Sequence, residues 1–400
     1  MTEVKRLYCK YLYTLEGGYA PLCPGYVDYK AEDGTILDAG YADSVPEDAE
    51  ILDGAVVPGF VNAHCHVELS YMKGLFKRGT GMAGFIDQIN ELRDIAPLEE
   101  RLADISNELD QMWRSGVSAM ADISNCEDSF AAKAASPMYT RTFLEVFGTE
   151  PQDCAPVMDG VKKLQDKALA CGLDAAPTPH ACYTMSPQLV EASSAEGLKS
   201  GYLSFHSEET PEEEEMIGKG SGRLWDNRKA AGMSTPPVTG GTSLEYFVDR
   251  LAAVKPLPIK EHVLLVHEVC MTKEGTELVK KALPGAFVAL CPRSNIYIHD
   301  ALPPVEMLRR SGLPLTIGTD SLSSNDSLDM ISELYCLQEN FKGIELGELL
   351  CWACFNGARF LGKEAVLGSI AIGKKPGLVL IDHISADGRL TSSSASYRIV

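Results

Sequence analysis

The sequence predicts an α/β fold in which a parallel β/α barrel carries a small β-sandwich formed by the N- and C-terminal segments. Three observations predict it. Eight short β-rich runs alternate with helix-like segments over residues 56–318, polar residues of metal-binding or acid/base type recur where those runs end, and both ends of the chain read as strand and turn. Parallel strands need crossover helices, and eight such units close on themselves.

Taken in order, the runs cover residues 56–63, 117–123, 139–147, 173–178, 202–205, 262–266, 286–290 and 314–318. Between them lie "FIDQINELRDI", "RLADISNELDQMWRSG", "SPQLVEASSAEGLKSG", "TKEGTELVKKAL" and "PPVEMLRRSG", several of which stop at Gly as helices do. This is the pattern of a (β/α)8 barrel of the TIM type. Ahead of it, "LYCKYLYTL" and "YVDYKAEDGTILDAG" alternate like strands, with Asp33-Gly34 as a hairpin turn, and "LGSIAIGKKPGLVLIDH" does the same near the other end. The expected division is a β-sandwich domain of residues 1–54 plus 366–400 around a barrel of residues 55–365. One long insertion, "IGKGSGRLWDNRKAAGMSTPPVTGGTS", separates the fifth and sixth strands. Its Gly, Ser and Pro content predicts an ordered loop or lid, residues 218–243, bordering the pocket.

Composition narrows the partners. A chain of 400 residues, 45% hydrophobic and 23% charged, can bury a large core. With 36 basic against 56 acidic residues the net charge is −20, which repels a nucleic-acid backbone or an anionic membrane and leaves small molecules as the expected partners. No apolar run reaches the ~18 residues of a membrane span, and the opening segment lacks the features of a signal peptide, so the expected location is cytoplasmic. Twelve cysteines scattered through apolar segments read as reduced, buried thiols, and Cys351 and Cys354 of the lone CxxC read as core packing. Oligomeric state is left open, a homo-oligomer included.

Barrel enzymes place their chemistry where strands end. There stand, in order, His64 and His66, Asp122, Glu145, His180, His206, His267, the "CPRSN" of residues 291–295, and Asp320. Five of the eight histidines fall at these points, whereas His262, His299 and His383 do not and read as surface or satisfied core residues. In "PGFVNAHCHVELS" the histidines at i and i+2 of an extended strand point to the same side, so both imidazoles can meet one ion while Cys65 points away. His206 and Asp320 add a neutral nitrogen and a carboxylate, completing a set that Zn²⁺ or Fe²⁺ accepts.

"PGFVNAHCHVELS", "FHSEET", "LLVHEV", "CPRSNIYI", "IGTDSLSSNDSLDM" and "GSIAIGKKPGLVLID" together resemble the amidohydrolase superfamily, in particular its cytosine, guanine, S-adenosylhomocysteine and aminodeoxyfutalosine deaminase branch. The resemblance covers nearly the whole chain. It implies a distorted (β/α)8 barrel with a β-sandwich from both termini and one catalytic divalent metal, most readily Zn²⁺ with Fe²⁺ as the alternative. It further implies His64, His66, His206 and Asp320 as ligands, Glu209 as the proton shuttle of an HxxE pattern, and His267 assisting at the reacting carbon. Binuclear members bridge two metals with a lysine on strand four or its neighbour; "YTRTFLEVF" and "LDAAPT" contain none, which argues for a single ion. Pro376-Gly377 replaces the usual Ala-Asp of the C-terminal motif, away from the chemistry. The cytidine-deaminase scaffold, in which HxE precedes Pro-Cys-x-x-Cys, is excluded because Leu350 precedes Cys351 and most of the barrel intervenes.

The expected activity is therefore a metal-dependent hydrolytic deaminase. A bound divalent ion brings the pKa of water towards about 7, and a carboxylate must take that proton and return it to the leaving side. Glu209 fits that role, with Glu208 as its nearest rival, and Asp320 would help to move the proton that lets ammonia leave. Hydrolysis of a cyclic amide or of a C–Cl or C–S bond uses nearly the same residues and stays open, as does a catalytically silent scaffold. "HVELS" and "TDSLSSN" look most like the aminodeoxyfutalosine deaminase side of the branch, which implies a 6-aminopurine nucleoside or a relative. Glu68 and His180 would then bind substrate, with Arg223 and Trp225 of the insertion, beside Arg228, closing over a ribose or other polar tail.

Overall fold

The computed structural model describes residues 3–400. Four strands come first: β1 (Val4–Leu12), β2 (Gly25–Lys30), β3 (Ile36–Tyr41) and β4 (Glu50–Pro58). Eight follow, separated by helices: β5 (Phe60–Cys65), β6 (Val117–Ser124), β7 (Tyr139–Val146), β8 (Asp174–Pro179), β9 (Tyr202–Ser207), β10 (His262–His267), β11 (Ala286–Leu290) and β12 (Leu315–Ile317). Two more, β13 (Leu378–Ile381) and β14 (Ser396–Arg398), close the chain.

The two ends of the chain meet in one six-stranded sheet of order β14-β13-β4-β1-β2-β3. β1 lies inside it, antiparallel to β2 and parallel to β4, while β13 runs antiparallel along β4. Ile370 N donates to Thr14 O and Gly373 N to Ile36 O, tying the C-terminal segment to the N-terminal strands. Leu7, Leu12, Val27, Ile36, Val56 and Leu378 give this unit an apolar cluster of its own.

β5 to β12 form two parallel four-stranded sheets, β5-β6-β7-β8 and β9-β10-β11-β12. Single parallel bridges join their edges, Cys65 to Asp320 on one side and Ala181 to His206 on the other. Val61, Ile123 and Phe143 of the first sheet share an apolar cluster with Leu264, Val266 and Phe287 of the second. β5, β6 and β11 are buried at every position, as strands covered on both faces are. The crossover helices start on side-chain caps: Ser186 for Pro187–Lys199, Thr272 for Lys273–Ala282, and a Thr242–Glu245 capping box for Ser243–Val254.

Two local expectations change, the single strand at 56–63 and the loop of the insertion. The apolar run at 56–63 is two strands, not one. Gly59 divides it, passing so close to the next layer that a Cβ there would stand 2.0 Å from Ser118 Oγ and 2.5 Å from Pro376 O. The "CPRSN" segment opens a helix, Pro292–His299, and the insertion contains another, Arg223–Ala230. Cys351 and Cys354 are free and buried, with Cys354 Sγ donating to Pro58 O. Among the described residues no helix is long and apolar enough to cross a membrane.

Candidate active site

The C-terminal ends of the parallel strands bring together His64 from β5 and His66 just past it, Glu145 from β7, His180 after β8, His206 and Glu209 from β9 and the turn after it, His267 from β10, and Asp320 after β12. His64 Nε2 and His66 Nε2 are 3.2 Å apart, and Asp320 Oδ1 lies 3.7 Å and 3.4 Å from them. The His64 and His206 rings are centred 4.8 Å apart. Asp320 N and Thr319 N both donate to His64 O at 3.0 Å, so backbone pairing delivers the carboxylate to the histidines. His267 and Asp320 take positive φ angles, 81° and 56°, a conformation that costs energy in a non-glycine residue and collects at functional sites.

The donor set suits a divalent cation. Three overlapping triads, His64–His66–Asp320, His64–His206–His267 and His66–Glu145–His206, each keep their ligand atoms within 4.8 Å of one another. Burial, together with neighbouring imidazoles, holds His66 and His206 below the usual histidine range, so both are neutral nitrogen donors. Burial alone would raise Asp320; the hydrogen bond with His64 and the facing imidazoles outweigh it and hold the carboxyl well below its usual range. Ser294 Oγ and Ser324 Oγ donate to Oδ2 at 2.6 Å and 2.8 Å, leaving Oδ1 towards the histidines. His64 Nδ1 and Glu145 Oε1 are buried without a hydrogen-bond partner, polar atoms that a bound group or water must satisfy.

Glu209 reaches the same space. Its side chain is 3% exposed, with Oε1 at 3.4 Å from His267 Nε2 and Oε2 accepting from Tyr183 Oη at 2.8 Å. Burial, with Asp320 and Glu213 nearby, pushes its carboxyl well above the usual range. Asn295 Nδ2 stands 3.0 Å from His267 Nδ1. An amide NH₂ can only donate, so Nδ1 accepts and Nε2 carries the proton that faces Glu209. Glu209, Tyr183 and His267 line, with His66, His180, His206 and Asp320, a cavity of about 190 Å³ that also has an apolar wall of Leu69, Phe85, Ile86 and Ile89.

Residues 55–396 match the profile of the Amidohydrolase family. The chain belongs to that family. It is 28% identical over 377 residues to the 5-methylthioadenosine/S-adenosylhomocysteine deaminase of Moorella thermoacetica, covering 87% of this chain and 75% of the relative. It is 29% identical over 341 residues to the aminodeoxyfutalosine deaminase of Nitratiruptor sp., covering 82% of this chain and 78% of the relative. Its fold superposes on the crystal structure of Helicobacter pylori aminofutalosine deaminase in complex with methylthio-coformycin with a TM-score of 0.78 at 23% identity, over 97% of this chain and 93% of that one.

Not every expected residue of this amidohydrolase lines the cavity. His180 does, its Nδ1 held 2.7 Å from Thr184 Oγ1. Glu68 does not: it turns away to accept the backbone N–H groups of Asn125, at 2.9 Å, and Cys126, because the short helix after His66 aims it at that turn. Asp122 is likewise structural, paired with Lys133 Nζ at 2.8 Å with both side chains fully buried. Arg223 lies at the surface against Asp87 and Trp225 packs on the core, since the helix Arg223–Ala230 buries Leu224 and Arg228 instead, with Asn227 exposed beside them. Those three border a second hollow of about 490 Å³ that shares Ile86, Phe147 and Tyr183 with the first. His262 bonds the Phe360 carbonyl through Nδ1, His383 is exposed, and His299 lies outside the cavity. Tyr183 carried no expected role, and its signal is its place three residues past His180 in "PHACYT". Asn295 was visible only as part of "CPRSN", and Glu145 only as a polar strand end.

Proposed function

We propose that this amidohydrolase is a metal-dependent hydrolytic deaminase of aminated heterocycles, with a 6-aminopurine nucleoside as its first candidate substrate. The observation that carries the reading is Glu209, a buried carboxyl with a raised pKa, facing His267 in a cavity walled by imidazoles and Asp320. His64, His66, His206 and Asp320 would hold one divalent ion, Zn²⁺ or Fe²⁺. When bound, the ion supplies Lewis-acid activation of water.

The chain's own groups account for the protons. Water adds to the ring carbon bearing the amino group. Glu209, the buried carboxylate that opens onto the cavity, takes a proton from that water and delivers it to the adjacent ring nitrogen. His267, with Nε2–H fixed by Asn295, donates towards the charge that develops at the reacting carbon's oxygen. Asp320, its Oδ2 anchored by two serines, passes the second water proton to the departing amino group, which leaves as ammonia. His180 and the apolar wall would orient the ring. The names of relatives from Moorella and Nitratiruptor support a 6-aminopurine nucleoside.

The same proposal includes a single closed eight-stranded barrel. It is supported by the bridges at both sheet edges and the shared apolar cluster, with the terminal sheet as a separate β-sandwich-type unit of residues 1–54 plus 366–400. Twelve free cysteines fit a reducing, cytoplasmic setting. The test is ammonia release by zinc-loaded protein across aminopurine nucleosides, pterins and aminopyrimidines. Turnover of an aminopurine nucleoside is expected; release only from a chlorinated or cyclic-amide compound would replace this reading.

A further inference from the structure

Tyr183 sits on the short helix Cys182–Thr184, just past β8, and is 6% exposed. Its backbone carbonyl accepts from Arg228 Nη1 at 3.3 Å, and its hydroxyl donates to Glu209 Oε2 at 2.8 Å. The two Glu209 oxygens are therefore unequal: Oε2 is tethered, and Oε1 is the one turned to His267. Tyr183 also forms part of the wall between the site cavity and the hollow of about 490 Å³ beneath the helix Arg223–Ala230.

From this arrangement we infer that Tyr183 is a positioning residue that fixes Glu209 for proton transfer and couples it to whatever fills the second hollow. The inference rests on the reading of Glu209 as the proton carrier. A glutamate side chain has three free torsions, and a tether on one oxygen removes most of that freedom, which matters because misplacement by about 1 Å can cost roughly 10²-fold in rate. Burial holds the phenol protonated, so the hydroxyl is a donor across the working pH range. A substrate tail in the second hollow packs on Tyr183 and, through it, steadies the carboxylate. Remote contacts of that kind raise kcat and not only affinity.

The test compares Tyr183→Phe, Glu209→Gln and the double variant, all zinc-loaded, with adenosine and 5'-methylthioadenosine as probes. Tyr183→Phe is expected to lower kcat about 10- to 100-fold, with KM changed less than threefold and zinc content and Tm as in the parent. The kcat advantage of the longer-tailed nucleoside should shrink with it. On the Glu209→Gln background the same change should add no further loss, since the tyrosine acts only through that carboxylate. Near-native kcat for Tyr183→Phe, a loss that tracks zinc content or Tm, or a further tenfold loss in the double variant overturns the inference and leaves the deaminase reading standing. An active Glu209→Gln overturns both, and a parent inert towards both nucleosides overturns the aminopurine-nucleoside assignment and, with it, the coupling to the second hollow.

Discussion

Glu208 and Glu209 are neighbours at the end of β9, yet only Glu209 opens onto the cavity. Glu208 is fully buried behind it at φ 46°, and burial, with Glu214 nearby, raises its carboxyl above the usual range. Glu209→Gln should retain metal and lose turnover by about 10²–10⁴-fold, since it keeps the size of the side chain and removes its proton-carrying capacity. Glu208→Gln should keep turnover within a few-fold, because it touches nothing that reacts. Ammonia release at saturating substrate with parallel metal analysis separates them; equal behaviour of the two would refute the assignment. The HxxE spacing and the HxH pair were legible because short, fixed spacings on a strand and its following turn fix direction. The direction of Glu68 was not legible for the same reason in reverse: it lies past the strand, where a tight helical turn rather than the two-residue alternation decides where a side chain points. Tyr183 was not legible, because its partner lies 26 positions away and only the packing of β8 on β9 brings them together.

At the scale of elements, the helix Met330–Asn340 braces the loop that carries Asp320. Its Glu333 is fully buried, accepting from Asn325 Nδ2 at 2.7 Å and Arg293 N at 3.1 Å, and burial lifts its carboxyl from the ordinary 4.5 to about 8. The folded chain therefore holds a proton there that the unfolded chain releases, so this group's contribution to stability declines as pH rises from about 4.5 to 8. Glu333→Gln keeps one of the two accepting oxygens, sets an NH₂ against the other donor at a cost independent of pH, and removes the ionisation. Its Tm relative to the parent should climb between pH 6 and 9, with an effect on the order of 3–5 kcal/mol at most. A Tm difference independent of pH in thermal melts would sink this. The alternation of strands and helices was legible because each helix starts and stops on its own local signals. The break at Gly59 was not, since an uninterrupted apolar run looks alike whether it stays in one sheet or crosses into another.

For the whole molecule, the candidate ligands come from both four-stranded sheets: His64 and His66 from the first, His206 and Asp320 from the second. An ion that binds only the folded chain stabilises it by about 2.7 kcal/mol at a hundredfold excess over Kd. Adding Zn²⁺ to chelated protein should raise Tm and restore activity, and His64→Ala should abolish both responses; a Tm indifferent to zinc in the parent would remove the metal site. The bridge between Cys65 and Asp320 carries a different consequence. His64 and Asp320 are 256 positions apart, and Asp320 is delivered by the last of the eight parallel strands. A chain leaving the ribosome can expose its paired histidines long before their carboxylate exists, so the proposed four-ligand set is incomplete until synthesis has passed Asp320.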